Sequence, residues 1–429
     1  MKRLIIVATI AVCSAFNVSA QIIYTSEPTV ICEEQFKDIA VFCEGLAAVR
    51  NTEGLCGYID YSGELVIPYQ FRNAFNFTKD GIARYQVGPD QSRGFIDKEG
   101  NVIFSFFGSI GVPSDFQEGY VIVSNVVREI PLEVKFGIYN TAGDEFIAPI
   151  YDDLGHMTDN RLRFAKKNNK FGYINEYDIE IIPFVYDGAT DFSEDLAGVI
   201  LNGKGGYIDT LNNVIIPFEY QQVNPFKNGL AIVANIESVY QTTVFYHRGL
   251  INNKGEVILP VEYDRINTLD HKIFAIRKDL GDKKDLWKYI DGQGNELFGK
   301  GFKEANEFSN GLAAVKSENF FGYINESGEE VIPATYETAD YFQSNGRAIV
   351  SLKKKYGVID NQGNEIIPLL YQQILRPYDG YFFVKLKGKW GVIDENGKEI
   401  LPCIYKNLKY NEGMFCVKTK KLWGVISVR

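Results

Sequence analysis

Histidine, tryptophan and methionine are scarce in this 429-residue chain, with three of each. The histidines, His156, His247 and His271, stand far apart in sequence, and none has a metal-ligand spacing with a cysteine or another histidine. No metal centre, cofactor or catalytic residue is therefore assigned. No nucleophile-elbow motif is present, and no pair stands out among the 55 acidic residues as a glycosidase dyad would. Long apolar runs are also missing. Only Leu4–Val12 is strongly apolar, and it is too short to span a bilayer. With Lys2 and Arg3 before it and Val18-Ser19-Ala20 after it, residues 1–20 read as a signal peptide. The expectation is an exported protein, periplasmic, cell-surface or extracellular, with no transmembrane segment in the mature chain. Stretches rich in Pro, Ser or Gly are absent, so residues 21–429 read as one continuous array. Basic charge is in short supply too. The formal charge is −10, and it becomes −12 once Lys2 and Arg3 leave with the leader. That disfavours nucleic acid and anionic membranes as partners.

What the chain has instead is repetition. An aromatic-Gly pair recurs at Phe136-Gly137, Phe171-Gly172, Phe321-Gly322, Tyr356-Gly357, Trp390-Gly391 and Trp423-Gly424. The same Gly follows a non-aromatic residue at Gly57, Gly94, Gly206 and Gly249, and Lys288 stands in its place after Trp287. The steps between marks are 37, 43, 35, 34, 43, 39, 34, 35, 34 and 33 residues. The longer steps read as loop insertions, chiefly in 121–135, in 234–248 and in the charged segment 279–285. After most marks come a turn and an Ile-Ile-Pro-like strand, as in Ile181-Ile182-Pro183 and Ile366-Ile367-Pro368, though the copies at Gly94 and Lys288 lack the Pro. Before several marks lies an apolar strand opened by Gly, as in Gly311-Leu312-Ala313-Ala314-Val315. The unit reads as three short antiparallel strands, too small to bury a core alone.

Lys389-Trp390-Gly391-Val392-Ile393-Asp394 is similar to the motif of the WG-repeat (KWG-type) family of bacterial proteins, and the resemblance covers nearly the whole mature chain. It implies an all-β repeat protein and carries no common reaction with it.

Eleven marks exceed the four to eight blades usual for a closed propeller, and 34 residues is short for a four-stranded blade. The expected architecture is therefore an open, solenoid-like superhelix, with a propeller-like ring or two rings as the alternative. The ends favour the alternative. Val30-Ile31-Cys32 aligns with the Ile-Ile-Pro strand, while the chain stops after two strands of its last unit. The five mature cysteines, Cys32, Cys43, Cys56, Cys403 and Cys416, lie in the terminal units, where disulfides would staple fraying ends; their pairing stays open. Asp60, Asp97, Asp209, Asp291, Asp360 and Asp394 read as turn residues rather than calcium ligands, because Asn replaces them at Asn140, Asn175, Asn252 and Asn325. Recurrent aromatics such as Phe71, Tyr151, Tyr186, Tyr220, Tyr263, Tyr336, Tyr371 and Tyr405 read as inter-unit core; exposed, they would be glycan platforms. The function expected is a non-enzymatic binding or scaffolding protein of the cell envelope. Its extended surface would meet another envelope protein or, as the alternative, a glycan.

Overall fold

The computed structural model describes residues 27–88, 93–106, 110–111, 119–128, 132–240, 242–267, 272–278 and 286–429. Residues 1–20, expected to be a signal peptide, His271 and the 279–285 segment lie outside them. The described residues form eleven four-stranded antiparallel sheets and no helix, so no helix among them is long and apolar enough to cross a membrane. Ten sheets are continuous in sequence. They are blades 1 to 10, spanning 38–71, 73–106, 110–151, 153–186, 188–220, 222–263, 265–302, 304–336, 338–371 and 373–405.

Each unit thus has four strands, where the sequence indicated three. The extra one is the first, and in most blades it is only two residues long, as at Asp38–Ile39 and Gln373–Ile374. So brief a strand shows no alternation to read, and this is how 34 residues suffice for a full blade.

The remaining three strands follow from local chemistry. In blade 1, Leu46–Arg50 and Cys56–Asp60 are apolar and buried, while the outermost strand, Leu65–Phe71, is mostly exposed. The turn between third and fourth strands is built the same way in blades 1 to 10. The Oδ1 of its first Asp or Asn accepts the backbone N–H groups two and four residues on. Asp360 does so at 2.9 and 2.9 Å, and Asn175 at 2.9 and 3.0 Å. Asp and Asn interchange because both supply that oxygen. Gly363 and its equivalents take the positive φ that the turn needs, here 86°.

The blades close into a ring, not an open superhelix. Blade 11 is made by both ends of the chain. Asn407–Asn411, Met414–Lys418 and Trp423–Ser427 supply three strands, and Thr29–Phe36 adds the fourth, with Thr29 opposite Ser427 and Phe36 opposite Trp423. Eleven hydrophobic clusters fill eleven blade-to-blade interfaces, one more than an open array of eleven would have. The eleventh joins Met414, Cys416, Trp423 and Val425 of blade 11 to Ile39, Phe42, Ala47, Val49 and Ile59 of blade 1. Polar contacts cross the same seam. Asn411 donates to the Phe42 carbonyl at 2.7 Å, and the Glu412 carboxylate accepts from the backbone of Glu44 and Gly45 at 2.8 and 3.1 Å. Equivalent joints within the array run from Ser193 to the Phe226 carbonyl and from Ser309 to the Phe342 carbonyl.

A recurring device locks several interfaces. Tyr58, Tyr173, Tyr207, Tyr289 and Tyr323 are fully buried third-strand residues. Each hydroxyl donates to a backbone carbonyl of the next blade, namely Phe75, Thr190, Asn224, Asn306 and Asp340, at 2.6–2.8 Å. Each ring also packs on a phenylalanine two residues beyond that carbonyl, with centroids 4.8–5.1 Å apart.

Candidate functional site

The repeat marks turn out to be structural. In eight blades, one residue of the third strand, the mark itself, faces three of the fourth, as between the pairs Phe171–Tyr186 and Tyr173–Ile182. The fourth strand therefore bulges over the mark, carrying the Pro whose missing N–H a regular ladder could not spare. A Cβ on Gly57, Gly137, Gly172, Gly206, Gly249, Gly322, Gly357 or Gly391 would lie 2.5–2.7 Å from the carbonyl oxygen of the bulged Ile or Leu. Gly and the Ile-Pro strand are thus one device, which explains why they travel together. Blade 2, marked by Gly94, has no Pro, and its strands pair there without that bulge. In blade 7 the bulge grows by a residue, with Trp287 opposite Phe302 and Tyr289 opposite Leu297, and Lys288 fits beside it. Gly424 lies in blade 11, opposite Val417.

The recurrent aromatics are core, as the sequence indicated. Phe71, Tyr151, Tyr186, Tyr220, Tyr336 and Tyr405 are buried, and Tyr263 and Tyr371 are half-buried. The five cysteines among the described residues are free thiols. Burial pushes each above its ordinary value, Cys416 to about 12. Three of them, Cys32, Cys43 and Cys416, lie at the seam between blades 11 and 1.

What varies from blade to blade lies on one face. Antiparallel pairing puts the hairpins between second and third strands, together with the links between blades, on one side of the ring. The turns between third and fourth strands occupy the other. The insertions of blades 3 and 6 both fall in these hairpins. In blade 3, Tyr120–Arg128 pairs with Glu133–Asn140 out to Arg128–Glu133. In blade 6, Leu230–Tyr240 pairs with Thr243–Asn252 out to Tyr240–Thr243. The unextended hairpin of blade 5 ends at Leu201–Lys204. The extended hairpins carry exposed apolar side chains: Val127 and Leu132 (70% exposed) in blade 3, and Ile236, Val239 (62%), Val244 and Phe245 in blade 6.

Charge is divided between the faces. Each third-to-fourth turn of blades 1 to 10 carries at least one carboxylate, from Asp60 and Glu64 in blade 1 to Asp394, Glu395 and Glu399 in blade 10. The hairpin face of blades 9 to 11 carries Lys353, Lys354, Lys355, Lys385, Lys387, Lys389, Lys406, Lys418, Lys420 and Lys421. The ion pairs found among the described residues involve none of these ten. Two of them cover the tryptophans of the marks: the Lys385 ammonium lies 5.2 Å from the Trp390 ring, and that of Lys418 lies 5.4 Å from Trp423. Net charge concealed this lobe, because the acidic turns outweigh it. The run Lys353–Lys355 alone reads as a solvated turn; its neighbours in blades 10 and 11 come together only through the ring.

The opposite face holds a polar cleft of about 470 Å³ across blades 7 to 10, lined by Asn267, Asn306, Glu307, Ser309, Asp340, Tyr341 and Arg376. Arg376 forks onto Asp340 through Nε and Nη2 at 2.9 and 2.7 Å and lies over the Tyr341 ring. The Asp340 hydrogen bonds hold the guanidinium pKa above its usual value. The cleft's strongest charges thus satisfy each other. His156 sits near the half-buried Asp191, whose carboxyl burial pushes above the usual range. His247 stands at the root of the blade 6 hairpin.

Solved structures resemble the chain only distantly. A eukaryotic initiation factor matches with a TM-score of 0.42 and 11% identity, over 89% of this chain and 98% of that one. Apo AztD from Citrobacter koseri matches with 0.28 and 10%, over 62% and 90%. The acylaminoacyl peptidase of Pyrococcus horikoshii matches with 0.31 and 11%, over 65% and 58%. No curated protein matches the sequence. The model of the WG containing repeat matches nine times, at 57–88, 136–171, 171–204, 206–235, 249–281, 287–319, 321–356, 356–390 and 390–423. These matches cover most of the ring, and the chain belongs to the WG-repeat family.

Proposed function

We propose that this chain is a non-enzymatic binding protein of the cell envelope, exported by its leader, whose hairpin face docks an acidic protein partner. One observation carries the reading. The exposed apolar hairpins of blades 3 and 6 and the lysines of blades 9 to 11 share one face of the ring. Exposed apolar groups beside unpaired charge of one sign fit a docking surface, since burial supplies affinity and charge supplies orientation and on-rate. The rigid ring holds these groups at fixed spacing, as loops on a scaffold do. The surface is a closed disc rather than the extended track an open array would offer. A glycan track is less well supported, because the recurrent aromatics are spent on the core.

The test is capture of a protein partner from an envelope extract by mature protein 21–429. Two variants accompany it, a triple reversal of Lys385, Lys387 and Lys389 to Glu and a double Val239→Ser, Phe245→Ser. The reading predicts a stoichiometric partner that is lost from both variants and weakened by salt. Capture that survives both substitutions, or recovery of polysaccharide alone, would overturn it.

A further inference from the structure

Glu237, His247 and Asp264 meet at the root of the blade 6 hairpin. His247 Nε2 lies 3.5 Å from Glu237 Oε1 and 3.9 Å from Asp264 Oδ1, and one ligand atom from each residue falls within 4.8 Å of the others. They come from three segments: the outgoing strand, the returning strand and the link to blade 7. Glu237 is the unpaired residue of a β-bulge, because Ile236 pairs with Tyr246 while Ser238 pairs with Phe245. Such bulges re-aim side chains. The unextended hairpin of blade 5 ends at Leu201–Lys204, the level of Asn235 and His247 here, so Glu237 is the ligand that the insertion adds. The nearby Arg248 guanidinium is turned to the backbone carbonyls of Asp264 and Tyr246.

We propose that these three residues bind a divalent transition-metal ion, zinc fitting best. Zinc bonds to imidazole and carboxylate are about 2.0–2.2 Å long, which sets tetrahedral ligands roughly 3.4 Å apart. The observed spacings need only small rotamer adjustments to reach that. Imidazole favours zinc, nickel or copper over magnesium or calcium. Water fills the fourth position. The bound ion ties both hairpin strands to the inter-blade link and fixes the direction in which the hairpin projects.

The test is calorimetric titration of zinc chloride into metal-free mature protein 21–429 at neutral pH. It is repeated with His247→Ala, Glu237→Gln, Asp264→Asn and the control Glu219→Gln, each verified as folded by circular dichroism. One zinc per chain is expected. Affinity should fall roughly tenfold or more in the three site variants and stay unchanged in the control. Cobalt in place of zinc should show weak visible bands from nitrogen and oxygen ligands. No zinc uptake, unchanged affinity in the site variants, or an intense cobalt–thiolate band assigning the metal to cysteines would each overturn the proposal.

Discussion

Changing Tyr323 to Phe removes one oxygen atom from an interface between blades 8 and 9 and leaves the ring in place. That oxygen donates at 2.8 Å to the Asp340 carbonyl, inside a site where Tyr323 has no exposed surface. Phenylalanine keeps the packing on Phe342, at 4.8 Å between centroids, so the loss is one hydrogen bond and the desolvation of an orphaned carbonyl. Together these amount to about 1–2 kcal/mol. Truncation to Ala removes the ring as well and should cost about 3–5 kcal/mol. The same arithmetic holds at Tyr58, four interfaces away round the ring, so the double variant Tyr58→Phe, Tyr323→Phe should lose the sum to within about 0.5 kcal/mol. The assay is urea unfolding followed by fluorescence and circular dichroism, with Tyr177→Phe as the control because Tyr177 is 70% exposed. A Tyr323→Phe midpoint no lower than the control's would refute the locking role assigned to these hydroxyls.

Three further outcomes follow from the repeat chemistry. Gly172→Ala should destabilise by about 1–3 kcal/mol, because its Cβ meets the Ile182 carbonyl oxygen at 2.6 Å; a thermal melt indistinguishable from the parent would contradict the paired Gly and bulge. Asp360→Asn should be nearly silent, since Asn keeps the oxygen that accepts from the Gln362 and Asn364 amides, whereas Asp360→Ala should cost about 1–2 kcal/mol; equal effects in one denaturation series would refute the turn role. Burial raises the pKa of Tyr58, Tyr173, Tyr207, Tyr289 and Tyr323 above the ordinary value near 10. Their contribution is complete below about pH 10 and is lost as pH climbs toward the folded values, because only the unfolded chain ionises there. The tyrosinate absorbance of these five should therefore appear only together with alkaline unfolding, and early reversible titration of all tyrosines would contradict their burial.

Much of the ring was legible in the sequence, and what escaped has identifiable causes. The period, the marks and the turn residues were visible because eight blades need the same Gly under the bulge and ten the same oxygen at the turn. The permuted ends were visible as well, in Val30-Ile31-Cys32 and in the missing last strand. Unit length pointed the other way because strands such as Gln373–Ile374 are too brief to show a period, and blade count did so because eleven exceeds the usual four to eight. Charge division was hidden because Lys353, Lys387 and Lys421 reach one face only through the succession of blades 9, 10 and 11, and composition averages them with the acidic turns. His247 showed no ligand spacing, since Glu237 and Asp264 reach it across a bulge and a blade link. The long steps around Gly249 were the one available signal that something differs there.

Closure is the claim on which the rest depends, and a crosslink between Thr29 and Ser427 tests it directly. These residues lie opposite each other across the seam sheet, where paired antiparallel Cα atoms sit about 4.5–5.5 Å apart, within disulfide range. Mild oxidation of Thr29→Cys, Ser427→Cys in dilute mature protein should join the two positions within one chain, giving a monomeric product whose digest contains a single linked 29–427 peptide. In an open superhelix the two ends would lie eleven units apart. Dimers and higher species linked through these cysteines, or two thiols left unpaired in the folded monomer, would contradict the closed ring.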